Sequence, residues 1–113
     1  MKLKAIAGEL DAETLYAPDG WEEREVGSVI ASDLISDILV SEGEDQLLLT
    51  SLTSAQVVRT AALVGAAAVV LVHRRRTPHE LADAARAQEL PLFRCTMTKY
   101  DACVRIGRLR DAS

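Results

Sequence analysis

Four times along this 113-residue chain an apolar run gives way at once to hydroxyls, short acids or arginines. The run 26–31 passes into Ser32-Asp33 and Ser36-Asp37, and 46–50 ends in Thr50 and passes into Ser51, Thr53 and Ser54. The run 67–72 passes into His73-Arg74-Arg75-Arg76-Thr77, and 92–94 into Cys95-Thr96-Met97-Thr98. If the runs are strands of one parallel sheet, these residues share its carboxyl rim, where helix N-termini present free N–H groups and ligands gather. Ser32, Asp33, Thr50, Ser51, Thr53, His73, Arg74 and Thr96 are therefore the candidate ligand-binding residues. Hydroxyls and N–H groups donate to the oxygens of a phosphate or carboxylate, and a guanidinium grips two of them at once. The same residue types are also the preferred helix N-caps, so the hydroxyls by themselves leave both uses open.

Catalytic groupings are thin. His73 and His79 have no acidic or cysteine partner at a telling spacing. Asp33 and Asp37 are four apart and share one face of any helix that spans them. Paired carboxylates serve acid–base work or a metal, but acids at a helix start also complement its dipole. Phosphate-loop, dinucleotide and paired-histidine metal motifs are lacking, so no cofactor is implied. Cys95 and Cys103 fit neither a redox pair nor a metal knuckle and read as free, buried thiols.

The charge is lopsided. Residues 1–46 hold three basic and twelve acidic side chains, and residues 47–113 hold ten basic and five acidic. Such a split suits an anion on the basic half, or pairing between halves or between subunits. A net charge of −4 with only four aromatic residues speaks against a nucleic-acid platform. The longest apolar run, 66–72, is far short of the roughly 18 residues of a membrane helix, and Glu9 and Asp11 interrupt any signal-like start. A cytoplasmic protein is the expectation.

The elements that would position the rim read as follows. Leu3, Ile6 and Leu10 have helical spacing, 14–17 is a brief strand, and Pro18-Asp19-Gly20 is a turn. A strand over 26–31 leads into a helix over 32–41 that Gly43 stops. After a strand at 46–50, Thr53 and Gln56 form a capping box for a helix that carries Val57, Ala61 and Val64 and ends at Gly65. The unbroken apolar run 67–72 is a central strand covered on both faces. Thr77 and Glu80 form a second capping box, with Pro78 at the first helical position and Leu81, Ala84 and Ala85 turned inward. A short strand 92–94 and a helix from Thr98, packing Ala102, Ile106 and Leu109, complete a single domain over 1–113. The alternation predicts a layered α/β/α fold with a largely parallel sheet.

The segment from Val29 to Leu39, with its Ser32-Asp33-Leu34-Ile35-Ser36-Asp37 core, resembles the S-D-L-L-S-D stretch of DRTGG-domain proteins. The strand 67–72, the helix opening at Thr77-Pro78, Glu89-Leu90-Pro91-Leu92 and Tyr100-Asp101 follow that family's later pattern, although Thr50-Ser51-Leu52-Thr53 stands where its name motif would. The resemblance implies a fold like the N-terminal domain of HPr kinase and a regulatory, often dimeric, module that accompanies a partner enzyme. The leading expectation is a non-enzymatic sensor that dimerises and takes a small anion or nucleotide on the rim. A pure interaction module, and a weak phosphoryl-transfer or hydrolytic enzyme using Asp33 and Asp37, are the alternatives.

Overall fold

Apolar residues in the middle of this chain come in unbroken strings, which suits strands buried on both sides. In the computed structural model, which describes residues 1–112, they form the centre of a five-stranded sheet in the order β1-β5-β4-β3-β2. The strands are β1 (Glu13–Tyr16), β2 (Ser28–Ala31), β3 (Gln46–Thr50), β4 (Ala68–Leu71) and β5 (Leu92–Arg94). β2 to β5 are parallel, while β1 runs antiparallel beside β5, its register slipping between Thr14 and Tyr16. The fold class is α/β with helices on both faces, as the alternation of elements predicts.

Because successive β-residues point to opposite faces, each central strand feeds two cores. Leu47, Leu49, Ala68, Val70, Val72 and Phe93 turn to the face covered by α1 (Leu3–Glu9) and α5 (Lys99–Ala112), which contribute Leu3, Ile6, Ala102 and Ile106. Leu48, Val69, Leu71 and Leu92 turn to the other face, under α2 (Ile35–Val40), α3 (Ala55–Leu63) and α4 (Glu80–Gln88), with Ile38, Val57, Ala61, Leu81 and Ala85. A 3-10 turn at Trp21–Glu23 brings the Trp21 ring to within 5.1 Å of Phe93.

The three crossovers β2-α2-β3, β3-α3-β4 and β4-α4-β5 step in one direction and keep their helices on one face, as crossovers of a single hand must. After β5 the chain turns to the opposite face and runs out along α5. β4 and β5 are therefore the neighbouring parallel strands whose following segments part to opposite faces. In open α/β sheets that parting opens a crevice at the carboxyl ends.

Several local expectations are corrected. The second helix is shorter than 32–41, because Ser32 and Asp33 turn their side chains to other work and helical backbone begins at Ile35. Gly43 does not stop it. Ser41 does, its hydroxyl sharing its one proton between the Ile38 carbonyl and Gln46 Oε1, 2.8 and 2.9 Å away. Gly43 is instead a close approach, since a Cβ there would lie 2.8 Å from Ser28 Oγ. Neither capping box forms. α3 starts after Ser54 and α4 after His79, both without a side-chain cap, and the Thr77 hydroxyl accepts from Arg94 Nη1 at 3.1 Å. Gly65 does end its helix, with φ +76°, while Glu89 takes the equivalent left-handed position after α4 with φ +53°.

Candidate functional site

The carboxyl ends of the four parallel strands do share one rim, and its polar groups divide into two clusters. At the β2–β3 end, Asp33 is a hub. Its Oδ1 accepts from the Ser51 N–H at 2.7 Å and from Thr50 Oγ1 at 3.0 Å. Its Oδ2 accepts from Ser51 Oγ at 2.6 Å and from Lys99 Nζ at 2.7 Å. Ser51 and Thr50 are placed by the end of β3, Asp33 by the turn between β2 and α2, and Lys99 by the first turn of α5. The hub thus ties both faces of the sheet together at one corner.

Partial burial pushes the Asp33 carboxyl upward, but hydrogen bonds from Lys99, the Ser51 hydroxyl, the Ser51 N–H and Thr50 outweigh it. The net effect holds the group well below the ordinary carboxylate range. Arg74 completes the cluster from behind, its Nε and Nη2 donating to the Ser51 carbonyl at 3.0 and 2.7 Å. The Thr50 hydroxyl also accepts from the Leu52 N–H at 3.2 Å.

Of the residues singled out in the sequence, Asp33, Thr50, Ser51 and Arg74 are brought together, but they bind one another. Ser32 serves its own turn, accepting from the Leu34 N–H at 3.1 Å and donating to Asp37 Oδ2 at 3.3 Å. Asp33 and Asp37 do not form a carboxylate pair on one helix, because Asp33 precedes α2 and its lone pairs are occupied. Thr53 is half-buried and stands outside the hub, and His73 is exposed. The Thr98 hydroxyl caps α5 by accepting from the Asp101 N–H at 3.1 Å. Among the described residues, no three His, Cys, Asp or Glu side chains stand together as a metal site would require.

The second cluster sits where β4 and β5 part. His73, held at φ +56°, donates its N–H to the Met97 carbonyl at 2.7 Å, and the Arg74 N–H donates to the Cys95 carbonyl at 3.1 Å. These two bonds stitch the loop after β4 to the loop after β5. Beside the stitch lies a cleft of about 200 Å³ lined by Asp11, Glu13, Arg74, Arg75, Arg94, Cys95 and Thr96. Arg94 is fixed there by an ion pair with Glu13 and by Thr77. Burial pushes the Cys95 thiol up, which makes it a poor nucleophile.

Lys99, Arg94, Glu13 and Asp11 are the residues that sequence reasoning passes over. Lys99 lies 66 positions from Asp33, and Glu13 lies 81 from Arg94, so no local spacing announces either pair. Only the antiparallel placement of β1 beside β5 brings Glu13 to the rim. Comparison of the chain with protein-family models and with curated proteins finds no match.

Proposed function

We propose that this chain is a non-enzymatic regulatory module that works as a two-fold homodimer built on the open edge of β2. The carrying observation is a contrast between the two edges of the sheet. β1 is guarded in the ways edge strands usually are: it carries the charged Glu13, its register slips at Thr14/Tyr16, and Pro18 follows it. β2, Ser-Val-Ile-Ala, carries no charge and no proline and keeps an even register with β3. Its residues are only half-covered, and the segment after it exposes Leu34, Leu39 and Val40 by 60, 48 and 76%.

A strand edge of this kind is completed by another strand, and a second copy meeting it antiparallel supplies a self-complementary, closed arrangement. Covering the exposed parts of Leu34, Leu39 and Val40 would contribute roughly 1 kcal/mol each, doubled by the symmetry. Association itself costs about 4–15 kcal/mol, so the side chains alone do not suffice and the strand pairing is needed as well. A micromolar rather than nanomolar dimer is the expectation. The DRTGG-domain resemblance points the same way, toward a dimeric module acting through a partner enzyme.

The non-enzymatic part of the reading rests on Asp33. It is one of the two carboxylates the enzymatic alternative would use, yet it accepts from four donors and is held deprotonated. A proton carrier near neutral pH needs the opposite tuning. Light scattering on a size-exclusion column tests the dimer: the native chain should run as a dimer and the Leu39→Glu/Val40→Glu double variant as a folded monomer. A native chain that is monomeric at concentrations of tens of micromolar would overturn the reading.

A further inference from the structure

We propose that the cleft at the parting of β4 and β5 binds a single phosphoryl group, gripped by Arg75, with Thr96 as a hydroxyl partner and Arg94 as a fixed positive charge in the lining. This goes beyond the dimer reading and does not depend on it.

Three observations carry the assignment. The first is position: the cleft lies at the carboxyl ends of the adjacent parallel strands whose connections leave to opposite faces. The second is preorganisation. Arg74 is locked by two bonds from Nε and Nη2 to the Ser51 carbonyl. Its backbone is stitched to Cys95, and Arg94 is fixed by Glu13 and Thr77. Arg75, exposed and with no ion pair among the described residues, adds a cation beside the fixed Arg94. The third is size. Pockets for drug-sized molecules run to about 300–1,000 Å³, so a cleft of about 200 Å³ suits one phosphoryl group and not a whole nucleotide.

The two carboxylates in the lining refine the choice. Glu13 is neutralised by Arg94, but Asp11 is an exposed acceptor in the same lining. A phosphate or phosphomonoester near neutral pH carries a proton for part of the time and can donate to Asp11. Sulfate has no proton to donate and would meet only repulsion there. The lining thus discriminates between two anions of nearly equal size.

Isothermal titration at low salt tests the proposal with inorganic phosphate, glycerol phosphate, sulfate and acetate as probes. Phosphate should bind one per chain at millimolar concentration or below, with sulfate and acetate at least tenfold weaker. Arg75→Ala should weaken phosphate at least tenfold, Arg75→Lys less, and Arg76→Ala, just outside the lining, hardly at all. Equal affinity for phosphate and its ester assigns the cleft to the phosphoryl group alone, and tighter binding of the ester assigns it to a phosphorylated metabolite. The proposal fails if phosphate does not bind, if sulfate binds as well, or if Arg75→Ala binds like the native chain. Light scattering of the same samples reads the oligomeric state separately, so failure here leaves the dimer untouched.

Discussion

Replacing Asp33 by Asn keeps the shape of the hub and halves its acceptors. One carboxylate oxygen remains, while an amide NH₂ stands where the other accepted. If the amide takes the Oδ2 position, it faces Ser51 Oγ and Lys99 Nζ, and both bonds to the charged oxygen are lost. Hydrogen bonds to charged groups contribute about 1.5–3 kcal/mol each when removal leaves the partner stranded. Here Lys99 and Asp33 keep 32 and 38% of their side-chain surface in water, so solvent takes over part of the loss. A net cost of about 2 kcal/mol is reasonable, a drop of roughly 6–10 °C in Tm for a domain of this size. The pH dependence has a definite sign. The folded-state pKa of Asp33 is depressed, so its contribution is present above the unfolded value and is lost as pH falls through the folded one. Thermal melts by circular dichroism should therefore show a constant gap between native and Asp33→Asn from neutral pH to about 5, closing below about 4. A variant melting with the native chain at pH 7, or a gap that persists unchanged into strong acid, would refute the hub.

Two further substitutions probe the backbone. At Gly65, with φ +76° and open space where a Cβ would sit, Gly65→Val should cost more than about 1 kcal/mol through backbone strain alone, read as a lower urea midpoint. Glu89 holds the same kind of conformation with a side chain, so Glu89→Gly should add up to about 1 kcal/mol of stability and raise the urea midpoint, and a loss of stability would show that its side chain matters more than its φ.

What could be read from the residues follows a physical division. β3 and β4 are legible because buried parallel strands have to be continuously apolar, and 46–50 and 67–72 are. α3, α4 and α5 are legible from inward residues such as Val57, Leu81 and Ala102 recurring at helical spacing. The rim was legible as a place but not as an arrangement. Hydroxyls at strand ends announce polar partners without saying whether these are ligands or each other. Thr50 and Ser51 resolve that choice through Asp33, and Asp33 through Lys99, a residue brought near only when α5 crosses to the opposite face. Ser32 and Thr77 look like helix caps in sequence, but Ser32 is taken up by its own turn and Asp37, and the Thr77 hydroxyl is claimed by the tertiary partner Arg94. The guarded β1 edge is likewise a product of topology, since a strand read at 14–17 carries no sign that it will pair with residues 80 positions away.

The dimer is tested most directly at the backbone of β2. The Ser32 N–H is bonded inward to the Leu49 carbonyl at 3.1 Å, so in an alternating strand the Ala31 N–H faces the open edge. Amide hydrogen exchange resolved to single residues should find Ala31 protected in the native chain and rapidly exchanging in the Leu39→Glu/Val40→Glu variant. The inward Ser32 amide should stay protected in both. An Ala31 amide that exchanges freely in the native chain at the same concentration would contradict the β2 dimer.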